Sequence, residues 1–268
     1  MRFIFCGLLV TAFFCFAAAG QTNGWLEGEL KRQQERLASS DVEERRDAVL
    51  RLGSLLRPEA ARLAMAGLGD TAPVVRATAA RAILALPPEE AVAALTPLLK
   101  DKFELPREEA AYALGETHAQ SAVRPLLETL ANDKSAGARG AAIVSLGLLK
   151  DESAVNLLTQ VLTRKVQTDG FTGLVLRRKG LENPFLRRAA AQALGRIRNR
   201  AAVPVLTATL GDPKSGNDVR REAARALGEI GDPAAAPALQ AARKAGDPYL
   251  ARLAEEALSK LNGASGME

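Results

Sequence analysis

The chain of 268 residues is poor in the residue types that most often carry chemistry. It has one histidine, His118, so a histidine-based metal cage cannot be built from one copy, and a Ser-His-Asp triad would have to use this residue as its base. It has two cysteines, Cys6 and Cys15, too few for a disulfide framework. Aromatics make up only 4% of the sequence, which argues against a base-stacking surface for nucleic acid. Neither G-x-x-x-x-G-K-[ST] nor G-x-G-x-x-G stands between a strand and a helix, so nucleotide binding has no support. No cofactor is implied. The carboxylate pairs Glu43-Glu44, Glu108-Glu109 and Glu255-Glu256 lie beside basic residues and read as solvated helix faces.

One long apolar run is present. Residues 1–19 read MRFIFCGLLVTAFFCFAAA, with Arg2 ahead of a charge-free stretch and three alanines behind it. This is the pattern of a secretory signal peptide cleaved after Ala19, and it predicts an exported, periplasmic or secreted chain. Retention as an anchor is the alternative, although the run falls short of the ~20 residues that span a bilayer. Phe14, directly before Cys15, suits a lipid-attachment site poorly. Cleavage would remove both cysteines and Arg2, leaving 35 basic against 31 acidic residues, a net charge of +4.

What fills the rest is a repeat. Segments beginning at Arg45, Arg76, Arg107, Arg139 and Arg187, with a sixth around Arg220 and Arg221, share the motif Arg, Ala-Ala, Ala-Leu-Gly, turn, Ala-Val-Pro-Leu. Aligned on the residue after the Ala-Leu step, the anchors are Gly53, Leu84, Gly115, Gly147, Gly195, Gly228 and Ser259. Their spacings are 31, 31, 32, 48, 33 and 31, and an arginine stands eight residues before each of the first six. Within a unit the apolar residues recur at helical spacing twice, as at Val219, Ala223, Ala226, Leu227 and Ile230, with Gly231-Asp232-Pro233 as the stop and restart. Each unit therefore predicts a helical hairpin that buries its apolar face only by stacking on its neighbours. Asp70, Asp101 and Asp133, six residues before Arg76, Arg107 and Arg139, predict a ladder of capping and ion-pairing contacts between units.

This pattern resembles HEAT repeats, specifically the short HEAT-like class named after phycobilisome lyases, over about Asp41 to Leu261. The resemblance implies an all-α, right-handed α-solenoid of about seven helical hairpins. Expected divisions are a signal peptide at 1–19, a capping helix within 20–40 with Trp25, Leu26, Leu30 and Leu37 on one face, the array over 41–262, and a flexible tail at 263–268. Repeats of this class occur in lyase subunits and in many proteins with no enzyme activity, so no activity is carried over.

The spacing of 48 places an insertion at about 164–180. Arg164, Lys165, Arg177, Arg178 and Lys179 are opposed only by Asp169, a net charge of +4. Extended to Arg200, the sector holds ten basic residues against Asp169 and Glu182, and the remaining mature chain is at −4. Arg188, Gln192 and Arg196 continue it at helical spacing. The candidate binding residues are thus Arg164, Lys165, Phe171, Arg177, Arg178, Lys179, Arg188 and Arg196, with Phe171 as an apolar anchor and 171–176 as a short extended piece. The expected protein is a monomeric, non-catalytic binding scaffold for an acidic protein. An anionic lipid surface, a glycan, or a bilin-lyase-like role are the alternatives. Nucleic acid is not an expected partner.

Overall fold

The computed structural model describes residues 24–163, 165–167, 179–181 and 183–265. The chain divides between Pro87 and Pro88 into two compact bodies.

In the first body the described chain begins in a helix over 24–37 (α1). It is followed by α2 (Val42–Ser54), α3 (Pro58–Ala64) with a 3-10 turn over Met65–Gly69, and α4 (Pro73–Ala82). A helix forms over the expected segment, and Leu26, Leu30 and Leu37 are half-buried along one side of it. Trp25 is 57% exposed, whereas Glu29 and Gln33 are buried at 3% each. Glu29 accepts from Arg51 of α2 at 2.7 Å and from Arg32 at 2.9 Å. These contacts hold its carboxyl below the ordinary range, with the Arg51 hydrogen bond the main cause. The Glu29 pairing thus adds to the leucine side, while Trp25 stays outside it.

The second body begins with α5 (Pro88–Leu95) and a 3-10 turn over Thr96–Lys100. Then come α6 (Glu104–Glu116), α7 (Val123–Asn132), α8 (Ala136–Leu149) and α9 (Val155–Thr163). Two short strands follow, β1 (Lys165–Gln167) and β2 (Lys179–Leu181). The remaining helices are α10 (Pro184–Ile197), α11 (Val203–Gly211), α12 (Asn217–Ile230), α13 (Ala236–Ala242) and α14 (Pro248–Ser265). Helices α6, α8, α10, α12 and α14 pack each on the next, and the second helices of the hairpins lie behind them. This is the stacking of an α-solenoid. Helix α14 carries the seventh anchor, Ser259, and runs to Ser265, past the point where a frayed tail was expected.

The Ala-Leu-Gly step is the packing unit. The leucine goes inward: Leu52 in the first body, and Leu114, Leu146, Leu194 and Leu227 in the second, are fully buried. The glycine and the residue two before it form the seam. A Cβ on Gly147 would lie 2.9 Å from Cα of Ala193, and one on Gly228 would lie 2.8 Å from Cα of Ala257. Each glycine thus admits the small residue of the next unit, and successive first helices approach almost backbone to backbone. A buried leucine is worth ~1.5–3 kcal/mol, so the regular row supplies much of the stacking energy.

The turn between the two helices is equally regular. Three residues past the anchors, Leu56, His118, Lys150, Arg198 and Gly231 all take positive φ, between 51° and 75°. This left-handed residue ends the helix and directs its N–H back, as in Lys150 N–H to the Leu146 carbonyl. His118 is therefore a turn residue. At the equivalent position after Leu84 stands Pro87, whose ring holds φ near −65° and forbids that conformation. Helix α4 stops early, at Ala82, and the division into two bodies falls at this point.

Candidate interaction site

The arginine ladder exists, with a different register from the expected one. In the first body Arg45 meets the Asp70 carboxylate at 2.6 and 2.8 Å, 25 residues later, while Arg76 donates to the Asp70 carbonyl at 2.7 Å. In the second body Arg107 meets Asp133 at 2.7 and 3.0 Å and donates to the Asp101 carbonyl at 3.0 Å. The aspartate side chain reaches the arginine of its own unit, and its carbonyl receives the arginine six residues on. The carboxylate also caps the next helix, Asp133 accepting from Ser135 N–H at 2.8 Å. Burial alone would raise the Asp133 carboxyl, but the bonds from Arg107 and Ser135 outweigh it and hold it low. In the sixth unit the work is shared: Arg220 donates to the Leu210 carbonyl at 2.9 Å, and Arg221 pairs with Asp247 at 3.0 Å. The sequence alone could not distinguish these neighbouring arginines.

Arg187 departs from the ladder and frames the insertion. It is 3% exposed. Its Nε donates to the Leu162 carbonyl near the end of α9 at 3.0 Å, and its other nitrogens reach the Ser215 carbonyl at 3.2 Å and Oγ at 2.9 Å. Ser215 Oγ donates onward to Asp212 at 3.2 Å, so a hydroxyl stands between this arginine and its carboxylate. Burial lowers the Arg187 pKa, and Asp212 only partly opposes this. The side chain ties α9, α10 and the turn after α11 together. From this tied frame the chain leaves and returns as a two-stranded antiparallel ladder, with Lys165 opposite Leu181, Val166 opposite Gly180 and Gln167 opposite Lys179.

Of the candidate binding residues, Arg164, Phe171, Arg177 and Arg178 lie outside the described residues, as does the extended piece expected at 171–176. Lys165 and Lys179 fall in the paired backbone of β1 and β2, which flank that piece. Arg188 is exposed on α10 and Arg196 half-buried. The Arg196 stem lies near Gly147, where an added Cβ would meet its Cδ at 3.7 Å.

Two features escaped the sequence reading. The first is the acidic answer to the α10 row. Glu222 on α12 is pushed up by burial, with Glu229 adding to the rise, while Arg225, Arg188 and Arg196 pull it down. Repeat arithmetic could have revealed this, because Glu229 directly follows Gly228 as Arg196 follows Gly195. The second is α6. Glu108 is half-buried and not solvated as expected, and burial raises its carboxyl with help from Glu104 and Glu109. Glu104 and Glu108 lean over Gly137 in the first turn of α8, where a Cβ would lie 2.6 and 2.7 Å from their oxygens. The positive end of the α8 dipole favours them there.

A cleft of about 270 Å³ lies between the turn at Thr96–Lys100 and α7, lined by Thr96, Leu99, Lys100, Pro125, Glu128 and Thr129. It is just below the ~300–1,000 Å³ of ordinary ligand pockets. Among the described residues no group of three or more His, Cys, Asp and Glu side chains is placed to hold a metal ion. Among the same residues no helix is long and apolar enough to cross a membrane.

With tandem helical hairpins, buried leucine rows and an arginine–aspartate ladder established, the class is that of helical repeat scaffolds. The family model for HEAT repeats matches residues 33–115, 92–169 and 174–259, and the chain belongs to that family. Among solved structures it is similar to the YibA protein of Escherichia coli, with 18% identity over 88% of this chain and 82% of that one and a TM-score of 0.61. It is also similar to the complex of CpcE and CpcF of phycocyanin lyase from Nostoc sp. PCC7120, at 23% identity over 88% and 87% of the two chains and a TM-score of 0.51. These likenesses establish the fold. No curated protein sequence matches the chain. HEAT repeats suit a scaffold or protein-interaction role.

Proposed function

We propose that this chain is a non-catalytic binding scaffold that works outside the cytoplasm and docks an acidic partner protein through the insertion at 164–180 and the Arg188 and Arg196 row of α10. The observation that carries the reading is the tied base of the insertion. The β1–β2 ladder and the Arg187 clamp spring from the helix that bears Arg188 and Arg196. The sequence concentrates a net charge of +8 between Arg164 and Arg200, a stretch that holds the β1–β2 strands and the helix row of one sign. A long loop in a compact array is commonly functional, and charge of one sign steers an oppositely charged partner. Export rests on the signal-like segment 1–19.

The test uses the chain from Gly20 onward, with and without 168–178, as bait in extracytoplasmic extract at low and moderate salt. Anionic vesicles and acidic glycans serve as parallel baits. A protein retained only by the intact chain and released by salt supports the proposal. Equal retention by both forms moves recognition to the helical faces. Capture of vesicles or glycans alone replaces the partner, and no capture refutes the proposal.

A further inference from the structure

We infer that the edge of the second body where one hairpin joins the next seats on an anionic lipid surface, with lysines meeting the head groups and aromatic rings entering the interfacial layer. This edge is a different surface from the α10 row and does not depend on the acidic partner.

The starts of the first helices lie side by side along it. Asp133, just before α8, reaches Arg107 on α6, and Asp247, just before α14, reaches Arg221 on α12. Between them the Phe185 ring at the start of α10 lies on Gly140 of α8, and Arg187 reaches Ser215 just before α12. Each join other than the insertion carries an exposed lysine: Lys100 before α6, Lys134 before α8, Lys214 before α12 and Lys244 before α14. The turns at the opposite edge follow no such rule, with His118, Lys150, Arg198 and Gly231 at the equivalent place.

Among the described residues none of these four ammonium groups meets a carboxylate. The acids of the edge are engaged elsewhere. Asp133 and Asp247 are held by the ladder, Asp101 accepts from Phe103 N–H, and Asp212 accepts from Lys214 N–H and Ser215 Oγ. Asp218 pairs with Arg221 at 3.2 Å, and Glu104 leans onto α8 at Gly137. Capping and pairing thus occupy the carboxylates and leave the lysines facing solvent.

The same register adds rings. Phe103, Phe185 and Tyr249 each stand two residues past a capping Asp or Asn and donate their N–H to it, at 2.9, 2.9 and 3.0 Å. They are 43%, 43% and 62% exposed. Lys102 lies over the Phe103 ring at 5.1 Å from its centroid.

This chemistry favours a membrane over a protein. In this chain arginine makes the forked bonds to carboxylates, whereas lysine is a hydrated point charge on a flexible stem and sets no fixed geometry. From α6 to α14 the row spans four packed-helix steps, about 32–40 Å, so its charges meet many head groups together. Basic side chains are drawn to anionic lipid, and aromatic rings favour the head-group layer.

The experiment floats the chain from Gly20 onward, with and without 168–178, on vesicles of phosphatidylcholine alone or mixed with phosphatidylglycerol. Both forms are expected to bind only the mixed vesicles and to be released by salt. Each lysine is worth about fivefold, so the combined Lys100→Gln, Lys134→Gln, Lys214→Gln and Lys244→Gln variant should bind at least about 100-fold more weakly in either form. Tyr249→Trp in a Trp25→Phe background should shift its emission to the blue on mixed vesicles alone. Circular dichroism and melting confirm that each variant is folded. Absence of vesicle binding, undiminished binding by the four-lysine variant, or an unshifted Trp at 249 would overturn the inference and leave the acidic partner of the insertion to its own test. Binding lost on deletion of 168–178 would assign the lipid to the insertion and overturn the edge. An acidic extract protein retained without 168–178, lost in the four-lysine variant and seen with vesicles unbound, would assign the edge to a protein instead.

Discussion

Removing the Asp133 carboxylate tests whether the ladder holds successive units together. Arg107 and Asp133 are joined by two charge-assisted bonds of 2.7 and 3.0 Å, and their side chains are only 6% and 7% exposed. Taking one partner from such a buried pair costs about 3–5 kcal/mol, because the other charge stays in a poor solvent. Asp133→Ala also loses the cap on Ser135 N–H, worth about 1 kcal/mol. Arg107 keeps its bond to the Asp101 carbonyl, which softens the loss. The expected cost is about 3–4 kcal/mol, at the lower end of the range for a buried pair. Replacing both partners, Arg107→Met with Asp133→Ala, leaves no buried charge. The double variant should therefore cost less than the sum of the singles by about 2–3 kcal/mol. Urea denaturation gives the energies, provided the m-value is unchanged. Hydrogen exchange of the α6 and α8 amides shows whether the loss is local, as a repeat array permits. A cost below about 1 kcal/mol for Asp133→Ala, or strict additivity in the double variant, would refute the ladder as a clamp.

Four further outcomes follow from the geometry. Lys150→Gly and Arg198→Gly relieve left-handed residues at φ 54° and 60°; each should stabilise by about 0.5–1 kcal/mol after the greater freedom of unfolded glycine is counted, seen as a higher urea midpoint. Gly147→Ala sets a methyl 2.9 Å from Cα of Ala193, a contact no side-chain rotation relieves; the overpacking cost of about 1–3 kcal/mol should exceed the helix-propensity gain, and a stabilised variant would disprove the seam. Arg187→Lys keeps the charge but cannot span Leu162 and Ser215 together; a lower melting temperature and faster exchange at the end of α9 are expected, and unchanged exchange would remove its framing role. Acidification should destabilise the fold through Asp70, Asp133 and Asp247. Their folded pKa values lie below the ordinary 3.8, so their contribution is present above that value and is lost as pH falls through the depressed values. Glu222 acts oppositely: its raised pKa gives a contribution that is present below 4.5 and is lost as pH rises through the folded value. Glu222→Gln should remove that part of the loss in a pH series of melts.

The architecture was legible because a repeat states its rule several times. The Ala-Leu-Gly step set the buried leucine, the close seam and the unit length, and these depend on side-chain size and helical period. The spacing of 48 calls for added chain at about 164–180, and the neighbouring helices end at Thr163 and resume at Pro184. Residue spacing along one chain says which side chains share a helix face, but not which helix lies opposite. Only the stacked helices decided that Asp133 meets Arg107, 26 residues earlier, that Arg221 pairs with Asp247, and that Arg187 turns to Leu162 and Ser215. The seat of the capping helix was hidden likewise. Hydrophobicity pointed to Trp25 with Leu26, Leu30 and Leu37; the leucines are half-buried, but Trp25 is exposed and the contact with Arg51 buries Glu29.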